Sequence, residues 1–126
     1  MGHRVLITDD DADFRDTLDE VLTRRGFWTC QASDGLEAID AIEHGNIHLA
    51  LFDIHMPRLD GLGALERVRK AVPQLPCILM SAKLDDTILA RAEQLRAQCV
   101  LPKPFSITDL LRTIRQLLEP NGGVNI

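Results

Sequence analysis

Five times in succession the chain runs a short, largely apolar stretch into a segment with helical spacing, and that alternation leaves few architectures open. The stretches are residues 4–8, 27–32, 49–52, 77–80 and 99–101. Most are apolar throughout, as strands covered on both faces are. After the first, Phe14, Leu18, Val21 and Leu22 recur at helical spacing over residues 12–25, and Gly26 is a natural stop. Leu36, Ala38, Ile39 and Ile42 mark a second helix, closed by Gly45. Leu65 and Val68 mark a third, from about Gly63 to Ala71, ended by Pro73 and Pro76. Ile88, Leu89, Ala92 and Leu95 follow the acids Asp85 and Asp86, which favour a helix start. The fifth opens on the capping box Ser106-Ile107-Thr108-Asp109 and runs to about Glu119.

A strand followed by a covering helix, repeated, predicts an α/β domain with a parallel sheet and helices on both faces, because each crossover is right-handed. A doubly wound (βα)5 unit with strand order 2-1-3-4-5 fits a chain of 126 residues. The prediction is one domain over residues 1–119. Residues 120–126, with Gly122-Gly123, read as a flexible tail or the start of a linker.

A formal charge of −5 with scattered Lys and Arg argues against direct binding of nucleic acid, which needs a basic face. No apolar run approaches the roughly twenty residues that span a bilayer. Met1-Gly2-His3-Arg4 lacks the apolar region of a secretory signal, and Leu6 stands where a myristoylation signal has Ser or Thr. The expectation is a cytoplasmic protein without membrane contact. Cys30, Cys77 and Cys99 are odd in number and sit in apolar runs, so they read as buried thiols in a reducing compartment.

The predicted strands end on polar side chains. Asp9 and Asp10 follow the first, Asp53 the third, Ser81-Ala82 the fourth, and Lys103, between two prolines, the fifth. Ligands of open parallel sheets bind at these carboxyl ends, at the switch point between strands one and three. The three acids are therefore predicted to converge, with Ser81 and Lys103 beside them. Carboxylates so placed raise one another's pKa unless a cation intervenes. Oxygen ligands without a His or Cys cage suit Mg²⁺, or Mn²⁺ in its place, with Asp10 and Asp53 as ligands. With charge offset by the metal and Lys103, an Asp53 oxygen is competent to attack phosphorus and form an acyl phosphate. Ser81 is placed to donate to another phosphoryl oxygen. Asp11, Asp13, Asp34 and Asp60 read instead as helix caps or turn formers, and Trp28 and Phe52 as core or partly covered sheet residues.

The blocks ITDDD, FDIHMPRLDG, LMSAK and LPKPF, in that order and spacing, resemble the receiver domain of two-component response regulators, of the chemotaxis-regulator-like kind, over nearly the whole chain. The resemblance implies a flavodoxin-like fold. It implies that Asp53 is the phosphoacceptor, taking phosphoryl from a sensor histidine kinase, a phosphotransfer protein or a small phosphodonor. Asp9 and Asp10 then bind Mg²⁺ with Asp53 and the backbone carbonyl of His55, Asp9 acting through a water. Ser81, with Ala82 after it, matches the switch hydroxyl and Lys103 the phosphate-binding lysine, whose bond to Pro104 is cis by analogy. Such a domain switches a protein-interaction surface and is no enzyme beyond its own phosphorylation and dephosphorylation.

One position departs from the pattern. Val100 stands where the family usually has Tyr or Phe, so no aromatic gate operates. The response is expected to pass through backbone and packing shifts of the fourth helix, fifth strand and fifth helix, a surface that also suits a phosphorylation-dependent dimer. His55 and Lys83, two residues after Asp53 and Ser81, flank the path of the hydrolytic water, so the phosphate lifetime is expected to depend on both. Two other readings stay open: a phospho-independent interaction module, and a Mg²⁺-dependent aspartyl phosphohydrolase, whose usual second Asp is here His55.

Overall fold

The structure is a computed structural model that describes residues 2–119; the predicted tail at residues 120–126 lies outside the described residues. Ten elements alternate as predicted: β1 (Arg4–Thr8), α1 (Ala12–Arg24), β2 (Trp28–Ala32), α2 (Gly35–His44), β3 (Leu49–Asp53), α3 (Gly61–Ala71), β4 (Cys77–Ser81), α4 (Asp86–Gln94), β5 (Cys99–Pro102) and α5 (Ile107–Leu118). The strands form one parallel sheet in the order β2-β1-β3-β4-β5. None of the described helices is long and apolar enough to cross a membrane.

Alternation of side chains across the central strands builds two cores. Leu6, Ala50, Phe52, Cys77 and Leu79 face α2, α3 and α4, where Ala38, Leu65, Val68 and Ala92 complete one cluster. Val5, Ile7, Leu49, Leu51, Ile78 and Met80 face α1 and α5, where Leu18, Leu22, Leu110 and Ile114 complete the other. A strand covered on both faces has no polar side to offer, which is why β3 and β4 are buried along their whole length.

The helix starts have local causes. Asp11, Asp34, Asp60, Asp85 and Ser106 each occupy an N-cap and accept a backbone N–H three residues on. Because Asp60 accepts from Gly63 N–H at 2.8 Å, α3 begins at Gly61, two residues before its predicted start.

Of the two readings of Trp28 the structure excludes the core: it is 58% exposed, at the start of edge strand β2, with the Arg4 guanidinium 5.4 Å from its ring centroid. An edge strand leaves one flank uncovered, and a nearby cation suits a ring in water. The thiols are also less uniform than expected. All three are free, but only Cys77 is buried, and burial pushes its pKa up to about 12; Cys30 and Cys99 are half-buried.

At the amino ends of β4 and β5 a single arginine ties three segments together. Arg69 of α3 is 8% exposed. It donates to the carbonyls of Leu95 (2.8 Å), Arg96 (2.9 Å), Leu75 (2.8 Å) and Pro73 (3.3 Å), and to Gln98 Oε1 (3.2 Å). Gln98 Oε1 also receives the Cys77 N–H at 2.7 Å. The end of α4 is thereby held against α3 and the start of β4.

Register sets the heights of the groups at the other end of the sheet. Thr8 is level with Phe52, so Asp9 and Asp53 stand side by side. Asp53 is level with Met80, which puts Ser81 one residue further out, and Ser81 is level with Pro102, which puts Lys103 one further again. The carboxyl edge of the sheet is a staircase.

Candidate functional site

At the foot of that staircase the three predicted acids meet. Ligand oxygens of Asp9, Asp10 and Asp53 all lie within 4.8 Å of one another. Asp9 and Asp53 are 1% and 7% exposed, whereas Asp10 faces solvent. Asp9 is fixed on two sides: its carboxylate accepts the Asp11 N–H at 2.9 Å, and its carbonyl accepts from the Arg15 guanidinium at 2.6 Å. Lys103 reaches down from its higher step, placing Nζ 2.6 Å from Asp9 Oδ2 and 3.6 Å from Asp53 Oδ1. Its ammonium also lies 4.2 Å from the Phe14 ring centroid, which orients the long stem.

One ammonium does not balance three carboxylates. Burial raises the pKa of Asp53 above its ordinary value; the charge of Asp9 raises it further, Lys103 offsets part of this, and Asp10 adds to it. Carboxylate oxygens only, an uncompensated negative charge and one partner open to water form a donor set that fits a hard divalent cation such as Mg²⁺.

The cleft above the acids has a volume of about 330 Å³ and is lined by Asp53, His55, Ala82, Lys83 and Lys103. Ser81, just before the lining residues Ala82 and Lys83, is buried. It does not touch Asp53: its hydroxyl oxygen accepts the Lys83 N–H at 2.9 Å and lies 3.1 Å from His55 Nε2. Ala82 and Lys83 are exposed at the rim. Val100 stands half-buried on β5, packed, like Ile88 and Leu84, against the cluster that contains Leu79 and Ala92, and the Lys103-Pro104 bond is cis.

Sequence reasoning missed what holds the loop between β3 and α3. Asp34 caps α2, as read, but it is buried, and its second oxygen binds Arg58 Nε at 2.7 Å and the neighbouring Nη at 2.5 Å. The Glu37 N–H and then Arg58 hold its carboxyl below the ordinary carboxylate pKa. Two glycines let the same loop lie down: a Cβ on Gly61 would meet the Asp53 carbonyl oxygen at 2.4 Å, and one on Gly35 the Leu59 carbonyl oxygen at 2.4 Å. Asp60-Gly61 signals a turn, but that its glycine touches the backbone of Asp53 is legible only in three dimensions.

Known proteins bear on this geometry directly. The family profile described as Response regulator receiver domain matches residues 5–115. The response regulators MprA of Mycobacterium sp. strain KMS and of Mycobacterium tuberculosis are each 36% identical over 121 residues, which is 94% of this chain and 52% of theirs. The chain thus spans about half the length of these curated relatives. A CheY-like response regulator receiver domain protein from Methanospirillum hungatei superposes with a TM-score of 0.93 at 27% identity, over 99% of this chain and 100% of that one. The receiver domain of NtrX from Brucella abortus gives 0.84 at 31% identity, over 91% and 98%. A five-stranded sheet in the order 2-1-3-4-5, acids at its switch point and a profile match along almost all of its length converge on one conclusion: the chain belongs to the response regulator receiver domain family of two-component signalling.

Proposed function

We propose that Asp53 is the phosphoacceptor of this receiver domain. One observation supports the reading above others: Asp53 ends the central strand, buried beside Asp9 and Lys103, with a carboxyl pKa raised first by burial and then by the charge of Asp9. Asp9, Asp10, Asp53 and the backbone carbonyl of His55 hold Mg²⁺, or Mn²⁺ in its place. The bound cation offsets charge where phosphoryl oxygens gather. An Asp53 oxygen attacks the phosphorus of a phosphohistidine on a sensor histidine kinase or phosphotransfer protein. The P–N bond breaks, an acyl phosphate forms, and the imidazole leaves. Lys103 neutralises one phosphoryl oxygen; the Ser81 hydroxyl and the backbone at Ala82 bind another. His55 and Lys83, on the lining of the cleft, tune the entry of the water that hydrolyses the acyl phosphate.

The domain acts as a switch, and its catalysis is confined to its own phosphorylation and dephosphorylation. With Val100 in place of an aromatic gate, the change reaches α4, β5 and α5 by backbone and packing shifts, and that surface meets a downstream protein or a second phosphorylated copy. The setting is cytoplasmic, without contact to membrane or nucleic acid by this chain.

Intact-mass measurement after incubation with acetyl phosphate and Mg²⁺ tests the proposal. Wild type gains one phosphoryl group, and Asp53→Ala gains none. Equal labelling of both would move the acceptor elsewhere. No labelling of wild type, by this donor or by a kinase, would favour an interaction module that works without phosphate.

A further inference from the structure

We propose that the imidazole of His55 is a latch that occupies the Ser81 hydroxyl until a phosphoryl group arrives. The inference rests on the function proposed above and concerns the His55 side chain, not its backbone carbonyl. Ser81 is 1% exposed, so its hydroxyl has little access to water. Its oxygen accepts the Lys83 N–H at 2.9 Å and lies 3.1 Å from His55 Nε2. A hydroxyl has a single proton to give. The Lys83 N–H is itself a donor and cannot take that proton, which leaves the ring nitrogen as the acceptor within reach. A buried hydroxyl that donates to nothing is costly. Ser81 therefore donates, His55 Nε2 accepts, and the neutral ring carries its own proton on Nδ1.

Competition follows. To bind a phosphoryl oxygen on Asp53, Ser81 has to give the same proton to a different acceptor, and the bond to His55 has to break first. The latch joins the loop after β3 to the end of β4, so its release removes one tie between them. His55 is a positioning residue in this scheme: it sets how strongly the unphosphorylated form resists the switch.

Calorimetric titration of beryllofluoride and Mg²⁺ into wild type, His55→Ala, Ser81→Ala and the double variant tests the latch. Every variant keeps the carbonyl of residue 55, and beryllofluoride forms no acyl phosphate that could be hydrolysed, so affinity reads the latch apart from phosphate lifetime. His55→Ala is expected to bind about fivefold more tightly than wild type, the equivalent of roughly one net hydrogen bond. In the Ser81→Ala background that gain should vanish. Unchanged or weaker binding by His55→Ala, or an equal gain with and without Ser81, overturns the latch. Nitrogen-15 spectroscopy of the neutral His55 ring in the unphosphorylated protein gives a second readout. The Nδ1–H tautomer is expected, and the Nε2–H tautomer refutes the assignment. Wild type that neither binds beryllofluoride nor labels with acetyl phosphate rejects the proposed function; wild type that does both while ignoring His55 rejects the latch alone.

Discussion

Each end of the sheet buries charge, and the two ends treat it in opposite ways. At the amino ends of β4 and β5, the five N–H groups of the Arg69 guanidinium meet five acceptors: four carbonyls and the side chain of Gln98. At the carboxyl ends, Asp9 and Asp53 share the one ammonium of Lys103, and Asp10 adds a third carboxylate beside them. The first cluster is complete in itself and can only lose by change. The second is short of positive charge and is stabilised by whatever brings it. Binding capacity in this fold lies where polar groups are left wanting, and rigidity where they are satisfied.

The largest expected effect would break the comparison at its satisfied end. Arg69→Met strands buried carbonyls and should destabilise the fold by about 3 kcal/mol, read from the urea midpoint. Labelling of the folded fraction by acetyl phosphate should stay at the wild-type level. Lost labelling at unchanged stability would place Arg69 in the functional machinery instead.

Between the two ends in character stands the Arg58 and Asp34 pair, a satisfied contact that serves the unsatisfied site by tying down the loop that carries His55. Arg58→Ala should lower Mg²⁺ affinity by about tenfold, the lower end of what is seen when groups that hold ligands in place are removed. Titration of the metal against an amide signal from the loop measures it, and an unchanged affinity would mean that Gly35 and Gly61 alone keep the loop in place.

A smaller effect, opposite in sign to that of Arg69→Met, is expected at the wanting end. The pKa of Asp53 is raised on folding, so the folded form holds this proton more tightly than the unfolded chain does. As pH rises from the ordinary carboxylate value through the folded one, wild type loses stability relative to Asp53→Asn. The gap is absent below that window and full above it. Without divalent cation at neutral pH, Asp53→Asn should therefore melt at a higher temperature than wild type, and Mg²⁺ should narrow the difference. A variant that melts lower would show that Lys103 already supplies enough charge.

The smallest effect belongs to charge that is neither buried nor wanting. Arg24 and Glu20 pair at 2.8 Å with side chains 76% and 64% exposed, and Arg24→Ala should shift stability by less than about 0.5 kcal/mol. A larger loss in the same urea assay would mean that burial is not what separates charges that matter here from those that do not.

What could be read in the sequence follows from how local each cause is. A strand covered on both faces is an apolar run, and the polar residue that ends it is adjacent in the chain, so Asp9, Asp53, Ser81 and Lys103 stand out as strand ends, and the repeated crossover implies a parallel sheet whose order 2-1-3-4-5 fits the chain length. Asp34 looked like any helix cap because its cap is local, whereas Arg58 comes 24 residues later. Arg69 drew no attention inside a helix of ordinary charge, since its acceptors lie up to 29 residues away. The contact of His55 with Ser81 spans 26 residues and depends on the register of β3 against β4. For Trp28 the order 2-1-3-4-5 already puts β2 at the edge of the sheet, but how far the ring is covered depends on its neighbours, such as Arg4 on β1.

The staircase at the carboxyl edge limits what insertions the chain can absorb. Substitution along β4 or β5 changes what one side chain is, but an added residue within either strand moves all that follow by about 3.3 Å and turns them to the opposite face. One extra residue between Val100 and Lys103 would lift the ammonium away from Asp9 while leaving every functional residue type in place. The turn between α4 and β5 is no freer, because the Leu95 and Arg96 carbonyls and the Gln98 side chain are held there by Arg69. Counting residues within the strands is therefore as strict a test of a working relative as matching them.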